Sequence, residues 1–302
     1  MTARLPTLLL FLCALCATIA GADEPVRVMI LDGESNEWHD WKAATPVLKH
    51  MLDATGLFEV EVVTAPAGGD LGNFKPDFGR YAAVVFNYDA PDGRWPASLM
   101  ADFERYMRAG GGMVVLHAAD NAFPSWPAFN EMTGIGGWRN RNSSAGPYWY
   151  VRDGTLVSDD SRGPTGSHGR RLPFQVTVRA DHPVTAGLPP VWMHAGDELY
   201  AHLRGPGRNM TVLATAWSDP ANAGSGRDEP QLMVIDYGRG RVFHSTLGHD
   251  LPAMSAVDFV VTFQRGTEWA ATGRVTQPVP PDFPGPDAPR QRPELLAPKG
   301  AR

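Results

Sequence analysis

The sequence predicts an α/β fold built on a mostly parallel sheet, and three observations carry that expectation. Short apolar, β-branched runs alternate with stretches of helical periodicity; polar residues collect where successive runs end; and Gly110-Gly111-Gly112 feeds Met113-Val114-Val115-Leu116 straight into His117. Continuous apolar runs mark strands buried on both faces, as parallel strands are, and in open α/β sheets ligands bind beyond the carboxyl ends of the strands. His117 is therefore the first candidate for function.

Residues 26–31 (Val-Arg-Val-Met-Ile-Leu) read as the first strand, which stops at Asp32-Gly33 and leads into a polar, aromatic loop over 34–40. Val47, Leu48, Met51 and Leu52 recur at helical spacing, predicting an amphipathic helix over 41–55 that Gly56 ends. Strands follow over 60–64 and 82–86, the second ending at Asn87-Tyr88-Asp89, and a helix over 96–108 precedes the strand that ends at Leu116. This β-α-β-loop-β-α-β order implies right-handed crossovers. Over 134–171 the periodicity gives way to Gly, Asn, Ser and Arg interleaved with Trp138, Tyr148, Trp149 and Tyr150. Disordered segments are poor in aromatics, so a folded, functional insertion is expected there. Strands return over 174–179, 198–203, 211–215, 232–237 and 241–247, the last two joined as an antiparallel hairpin by Gly238-Arg239-Gly240, and a helix over 254–269 closes the domain. Beyond it, prolines from Pro278 to Pro298 with little apolar content predict a disordered or extended tail over 274–302.

The first 22 residues stand apart. Arg4 precedes an apolar stretch over 8–19, and Ala20-Gly21-Ala22 follow, which predicts a cleavable signal peptide, a mature domain over 23–273 and a periplasmic or secreted location. That stretch, about 12 residues, falls short of the roughly 20 that span a bilayer. Cys13 and Cys16 both lie in it, so no disulfide, thiolate metal site or cysteine nucleophile is expected in the exported protein. A formal charge of -6 without a Lys/Arg cluster argues against a nucleic-acid partner. No later segment reads as a membrane span.

Five blocks carry a resemblance. Asn36-Glu37-Trp38-His39, the run from Gly110 to Ala119, Asp181-His182-Pro183-Val184, Asp197-Glu198-Leu199-Tyr200 and the run from Gly238 to His249, in this order, resemble the ThuA-like (trehalose utilisation) family over about residues 26–273. The resemblance implies a flavodoxin-like sheet with helices on both faces, related to class I glutamine amidotransferases, and a role in bacterial sugar metabolism. In amidotransferases the strand corresponding to 112–116 runs into a turn bearing a nucleophilic cysteine; His117-Ala118 stands there instead. Amide hydrolysis through a thioester is thereby excluded, and function must come from the local site.

His39, His117 and His249 each follow a predicted strand or sit in the loop after one, and a parallel sheet brings those ends to one edge. Gathered imidazoles either bind a divalent metal such as zinc or share acid and base roles without one. His194, Asp197 and Glu198 lie ahead of or at the start of the strand expected over 198–203. Neighbours on an extended chain point to opposite faces, so one of the two carboxylates enters the pocket, and Glu198 is the candidate base or metal ligand. Asp250 reads either as part of the site or as a helix cap, His182 before Pro183 as structural, and His50 and His202 as surface positions. Trp38, Trp138, Tyr148, Trp149 and Tyr200 offer platforms for a pyranose ring, while Asn87, Arg139, His168 and His194 are candidates to bind its hydroxyls, with Arg141, Arg170 and Arg171 near one rim. The expectation is an exported enzyme acting on a small-molecule carbohydrate, with His117, Glu198, His39 and His249 as its catalytic set. Hydrolysis or elimination of a 3-keto-glycoside is what the resemblance suggests, because a keto group acidifies the neighbouring C–H. The alternatives are a non-catalytic carbohydrate-binding protein on the same fold and an assembly module that uses the aromatic insertion as an interface.

Overall fold

The computed structural model describes residues 24–296; the expected leader over 1–22, with both cysteines, lies outside the described residues. The chain runs β1 (Val26–Asp32), α1 (Trp41–Asp53), β2 (Phe58–Thr64), β3 (Ala83–Phe86), α2 (Ala97–Arg108) and β4 (Gly112–Leu116), then α3 (Pro127–Thr133). It continues through β5 (Tyr148–Arg152), β6 (Thr155–Asp159), β7 (Leu172–Val178), β8 (Val191–Asp197), β9 (Met210–Trp217), β10 (Asp228–Tyr237) and β11 (Gly240–Ser245) to α4 (Leu251–Met254) and α5 (Val257–Thr272).

The main sheet has the order β2-β1-β3-β4-β11-β10-β9-β7-β8. Its first five strands are parallel, in the flavodoxin-like order that the resemblance implies, and the remaining pairings are antiparallel. Alternation along each parallel strand feeds two cores. Val28 and Ile30 face Leu48 of α1 and Phe263 of α5, while Met29 and Leu31 face the layer containing Phe103 of α2 and Phe129 of α3. Burial on both faces is why these strands read as unbroken apolar runs. The expected hairpin is present, with Tyr237 paired to Gly240 and Gly238 at a φ of 61°, a conformation that glycine adopts without a steric penalty.

Three expectations need correction. The strand expected over 198–203 lies instead at β8, ending where that reading had it begin; residues 198–203 form an irregular crossing tied by the single bridge of Ala201 to Ser167. The closing helix is divided: α4 stops at Met254, and Ala256, at φ -60° and ψ 131°, turns the chain before α5 starts. The tail expected to be disordered is packed along the domain as far as Leu296. Met193 donates its backbone N–H to the Gly285 carbonyl at 2.8 Å, Val257 donates to the Arg290 carbonyl at 2.9 Å, and the Phe283 ring meets Trp192 with centroids 5.4 Å apart. Val275, Phe283, Leu295 and Leu296 pack against the core, and the Glu268 carboxylate accepts from Thr276, contacts that the segment's low overall hydrophobicity concealed. The insertion over 134–171 is folded and contains the β5–β6 hairpin. Among the described residues, no helix is long and apolar enough to cross a membrane.

Candidate active site

Strands β1, β3, β4 and β11 point the same way, so the segments leaving them meet at one sheet edge and bring together His39, Asp89, His117 and His249. His117 follows β4 directly at a φ of 44°, in the left-handed region that non-glycine residues seldom occupy. Such a turn lifts the side chain from the strand end into the crevice, and backbone strain of this kind clusters at functional sites.

The three imidazole rings form a compact triangle. Their centroids lie 5.0 Å (His39–His117), 4.9 Å (His39–His249) and 5.3 Å (His117–His249) apart, with edge-to-face tilts of 63° to 76°. Glu198, just past the end of β8, closes the group: its Oε2 is 3.2 Å from His249 Nδ1 and 3.6 Å from His117 Nε2. One ligand atom from each of these four residues lies within 4.8 Å of all the others. His39 Nε2, His117 Nε2 and His249 Nδ1 are buried without a hydrogen-bond partner.

The far side of two rings explains their orientation. His117 Nδ1 faces the Thr246 carbonyl at 2.6 Å, and since that oxygen only accepts, Nδ1 carries the proton and Nε2 keeps its lone pair for the crevice. His39 Nδ1 stands 2.7 Å from Asn36 Oδ1, while the Asn36 amide donates to Asp89 at 2.9 Å. Rings held in this way by a carbonyl or amide are the usual arrangement behind metal-binding histidines. Burial and then the neighbouring His117 and His249 push His39 down to about 3. At His117 burial works against charge, but Glu198, Asp197 and the Thr246 carbonyl outweigh it and raise the pKa. Burial likewise opposes ionisation of Glu198, yet His117 and His249 hold it well below the carboxylate range. The four donors thus fit a divalent first-row ion in kind, one anionic oxygen and three imidazole nitrogens, and small side-chain shifts would bring their spacing to that of shared bonds of about 2.1 Å.

Two cavities meet at this cluster. The larger, about 610 Å³, is lined by His39, His249, Glu198, Trp38, Trp138, Arg139, His168 and Tyr200 among others, so eight of the candidates chosen from the sequence share one cleft. His168 Nε2 stands 3.5 Å from Glu198 Oε1, and Tyr200 packs between His117 (4.1 Å) and Trp138 (4.5 Å). Arg139 donates to the buried Asp89 carboxylate at 2.8 Å, and Trp138, Arg139 and Asn140 are consecutively left-handed, which turns Trp138 and Arg139 into the cleft. The smaller cavity, about 340 Å³, touches all three histidines and includes Asn87, whose amide is already donated to Thr45 Oγ1 and the Trp41 carbonyl.

Two expected substrate contacts are not in either cleft. Tyr148 is buried under the Arg204 guanidinium, 3.4 Å above its ring. His194 is fully buried between Asp258 (2.7 Å) and Asp197 (3.0 Å), because β8 is already inside the sheet where the sequence suggested a loop. Asp197 is the buried member of its pair: it accepts the backbone N–H groups of Glu198, Gly248 and His249 at 2.7 to 3.1 Å, setting the backbone that presents two of the four donors. Asp250 caps α4 through the Ala253 N–H, Arg141 donates to the carbonyls of Asn121 and Ala122 and so ties the insertion to the segment after β4, and His182 Nδ1 accepts from Val184. His50 and His202 are half-buried rather than exposed. Sequence reasoning assigned no role to Asn36, Asp89 or Thr246; the three-residue step from Asn36 to His39 was the available signal for the first.

No curated protein matches the chain. A ThuA-like protein from Parabacteroides merdae is 44% identical, with 90% of this chain and 99% of that one covered at a TM-score of 0.86. A second, from Bacteroides uniformis, is 20% identical over 84% of this chain and 96% of that one, at a TM-score of 0.55, a likeness of fold. Residues 27–270 match the family model described as ThuA, trehalose utilisation, and the chain belongs to that family.

Proposed function

We propose that the protein is an exported enzyme that acts on a sugar or 3-keto-glycoside by metal-assisted acid–base elimination or hydrolysis. The observation that carries this reading is the convergence of His39, His117, His249 and Glu198, with three buried nitrogens that face this cluster and make no hydrogen bond. Unsatisfied buried nitrogens are costly, and three aimed at one point are accounted for by an ion. Family membership supports a carbohydrate substrate, and the leader-like segment over 1–22 supports export. Trp38 and Trp138 suit the C–H faces of a pyranose.

A divalent ion held by the four donors would supply Lewis acidity to a carbonyl or hydroxyl oxygen of the substrate. The chain's own residues account for the rest. His168 turns Nδ1 toward the Gly169 carbonyl at 2.9 Å, which leaves Nε2 on the cleft wall beside Glu198 to act as the base. From there it takes the proton at C2, next to the keto group. In elimination the C2–H and C1–O bonds break as C1=C2 forms, and His168 returns the proton to the departing oxygen. Trp138 and Tyr200 form a wall behind the ring, and Arg139 is fixed by Asp89 to bind hydroxyls.

The test is release of free aglycone from 3-keto-glycosides by the purified protein, before and after treatment with a chelator and re-addition of zinc or manganese. The expected result is turnover that chelation abolishes and metal restores, and that His168→Ala slows by about 100-fold. Release indifferent to chelation, or none from keto or plain glycosides, would contradict the reading.

A further inference from the structure

We infer that the smaller cavity is a subsite for an apolar group carried by the sugar, which makes the substrate a glycoside with a hydrophobic, aromatic-sized aglycone rather than an oligosaccharide. This rests on the sugar-directed reading above and adds the nature of the leaving group. The two cavities share His39, His249, Trp38 and Asp89, so a substrate reacting at the cluster extends into both. Their walls differ in chemistry. The larger cleft presents Arg139, His168, Arg171 and Asn121 beside its aromatics, whereas the smaller is walled by Trp41, Ala44, Leu116, Leu251, Pro252 and Met254.

The polar side chains that do border the smaller cavity are already engaged. The Asn87 amide donates to Thr45 and the Trp41 carbonyl, Asp40 accepts the Ala43 N–H, and Asp250 accepts the Ala253 N–H and pairs with Arg171. Asp89 holds Asn36 and Arg139, and the Tyr88 hydroxyl donates to Glu34. That leaves Ser35, the indole N–H groups of Trp38 and Trp41, one oxygen each of Asp40 and Asn87 at the margin, and the reactive cluster itself. A second sugar ring placed against the apolar wall of Ala44, Leu116, Leu251, Pro252 and Met254 would strip water from more hydroxyls than these few groups could bind, a net loss. An apolar ring strips water from nothing that needs it, and about 340 Å³ is room for one.

The experiment measures binding to the intact purified protein of three probes, the methyl and phenyl glycosides of 3-keto-glucose and phenol alone, by calorimetry and ligand-observed NMR. Two variants alter the cavity from half-buried positions, Ala43→Phe by filling it and Leu251→Asp by charging its wall. The phenyl glycoside is expected to bind about 10-fold to 100-fold more tightly than the methyl one, and both variants should bring that ratio close to one. Equal affinities in the unaltered protein, or a preference that survives both variants, overturn the inference. Phenol binding that both variants abolish, with neither glycoside bound, would uphold the apolar subsite and sink the sugar reading instead. If none of the three probes binds, both fall.

Discussion

His117 joins the two features on which the site depends, a strained turn at the end of β4 and a buried nitrogen that faces Glu198 without a hydrogen bond. His117→Ala and Glu198→Gln should each lower turnover by about 100-fold or more, Glu198→Gln with a melting temperature close to the parent's and His117→Ala, which also removes a buried ring packed on Tyr200, with a modest fall but still folded. Equal loss of folding and activity would mean that these side chains hold the strand ends together instead. Asp197→Asn tests the neighbouring carboxylate. Its amide would set a donor against the Gly248 N–H or the His194 ring, breaking a buried pair, so a loss of stability of about 3 kcal/mol is expected in a denaturant melt, with a milder effect on turnover in the protein that stays folded. A variant as stable as the parent would contradict that role. Part of this scale was legible: the alternation of an extended chain allowed one of Asp197 and Glu198 into the pocket, and Glu198, the one chosen, lines the cleft. Asp89 was not, because an Asn-Tyr-Asp strand end offers two polar residues and only the fold shows which one reaches Arg139. Nor was the burial of His194, whose two carboxylate partners come from β8's own end and from α5, 64 residues away.

At the scale of elements, β8 is joined to α5 by His194, which lies between Asp197 and Asp258, while the Trp192 N–H also donates to Asp258. Burial opposes the charge on His194, but Asp258 and Asp197 outweigh it and raise its pKa to about 10. A pKa raised in the folded state gives stability that is fully present below the ordinary value near 6.5 and is lost as pH climbs toward about 10. The melting temperature should therefore fall between pH 7 and 10, and the fall should be shallower in His194→Gln, which starts less stable at pH 7. Parallel profiles for the two proteins would show that this imidazolium does not bind β8 to α5. The polar residues of β8 also explain why the strand was displaced in the sequence reading: His and Asp suggest a loop, and their hydrogen bonds lie inside the fold. The parallel strands, by contrast, are buried by helices on both faces and announce themselves as apolar runs.

For the whole molecule, the Pro-rich segment after α5 is part of the domain. It covers Trp192 with Phe283 and ties down Glu268, so removing residues 277–302 should lower the melting temperature by about 5 °C or more, as expected for uncovering at least one large aromatic contact. An unchanged melt would return the segment to the role of a passive tail. Composition alone could not reveal this, because proline-rich chain packs through a few well-placed residues rather than through a periodic face. The sheet edge where β1, β3, β4 and β11 end was legible from strand order, and with it the meeting of His39, His117 and His249; the distances within that meeting required the fold. The central claim, that these three residues and Glu198 hold one divalent ion, is tested most directly by the metal content of the purified protein after dialysis against zinc or manganese. One equivalent per chain, lost in both His117→Ala and Glu198→Gln while each stays folded, is the predicted result; an intact protein that retains no metal, or variants that retain it fully, would contradict the claim.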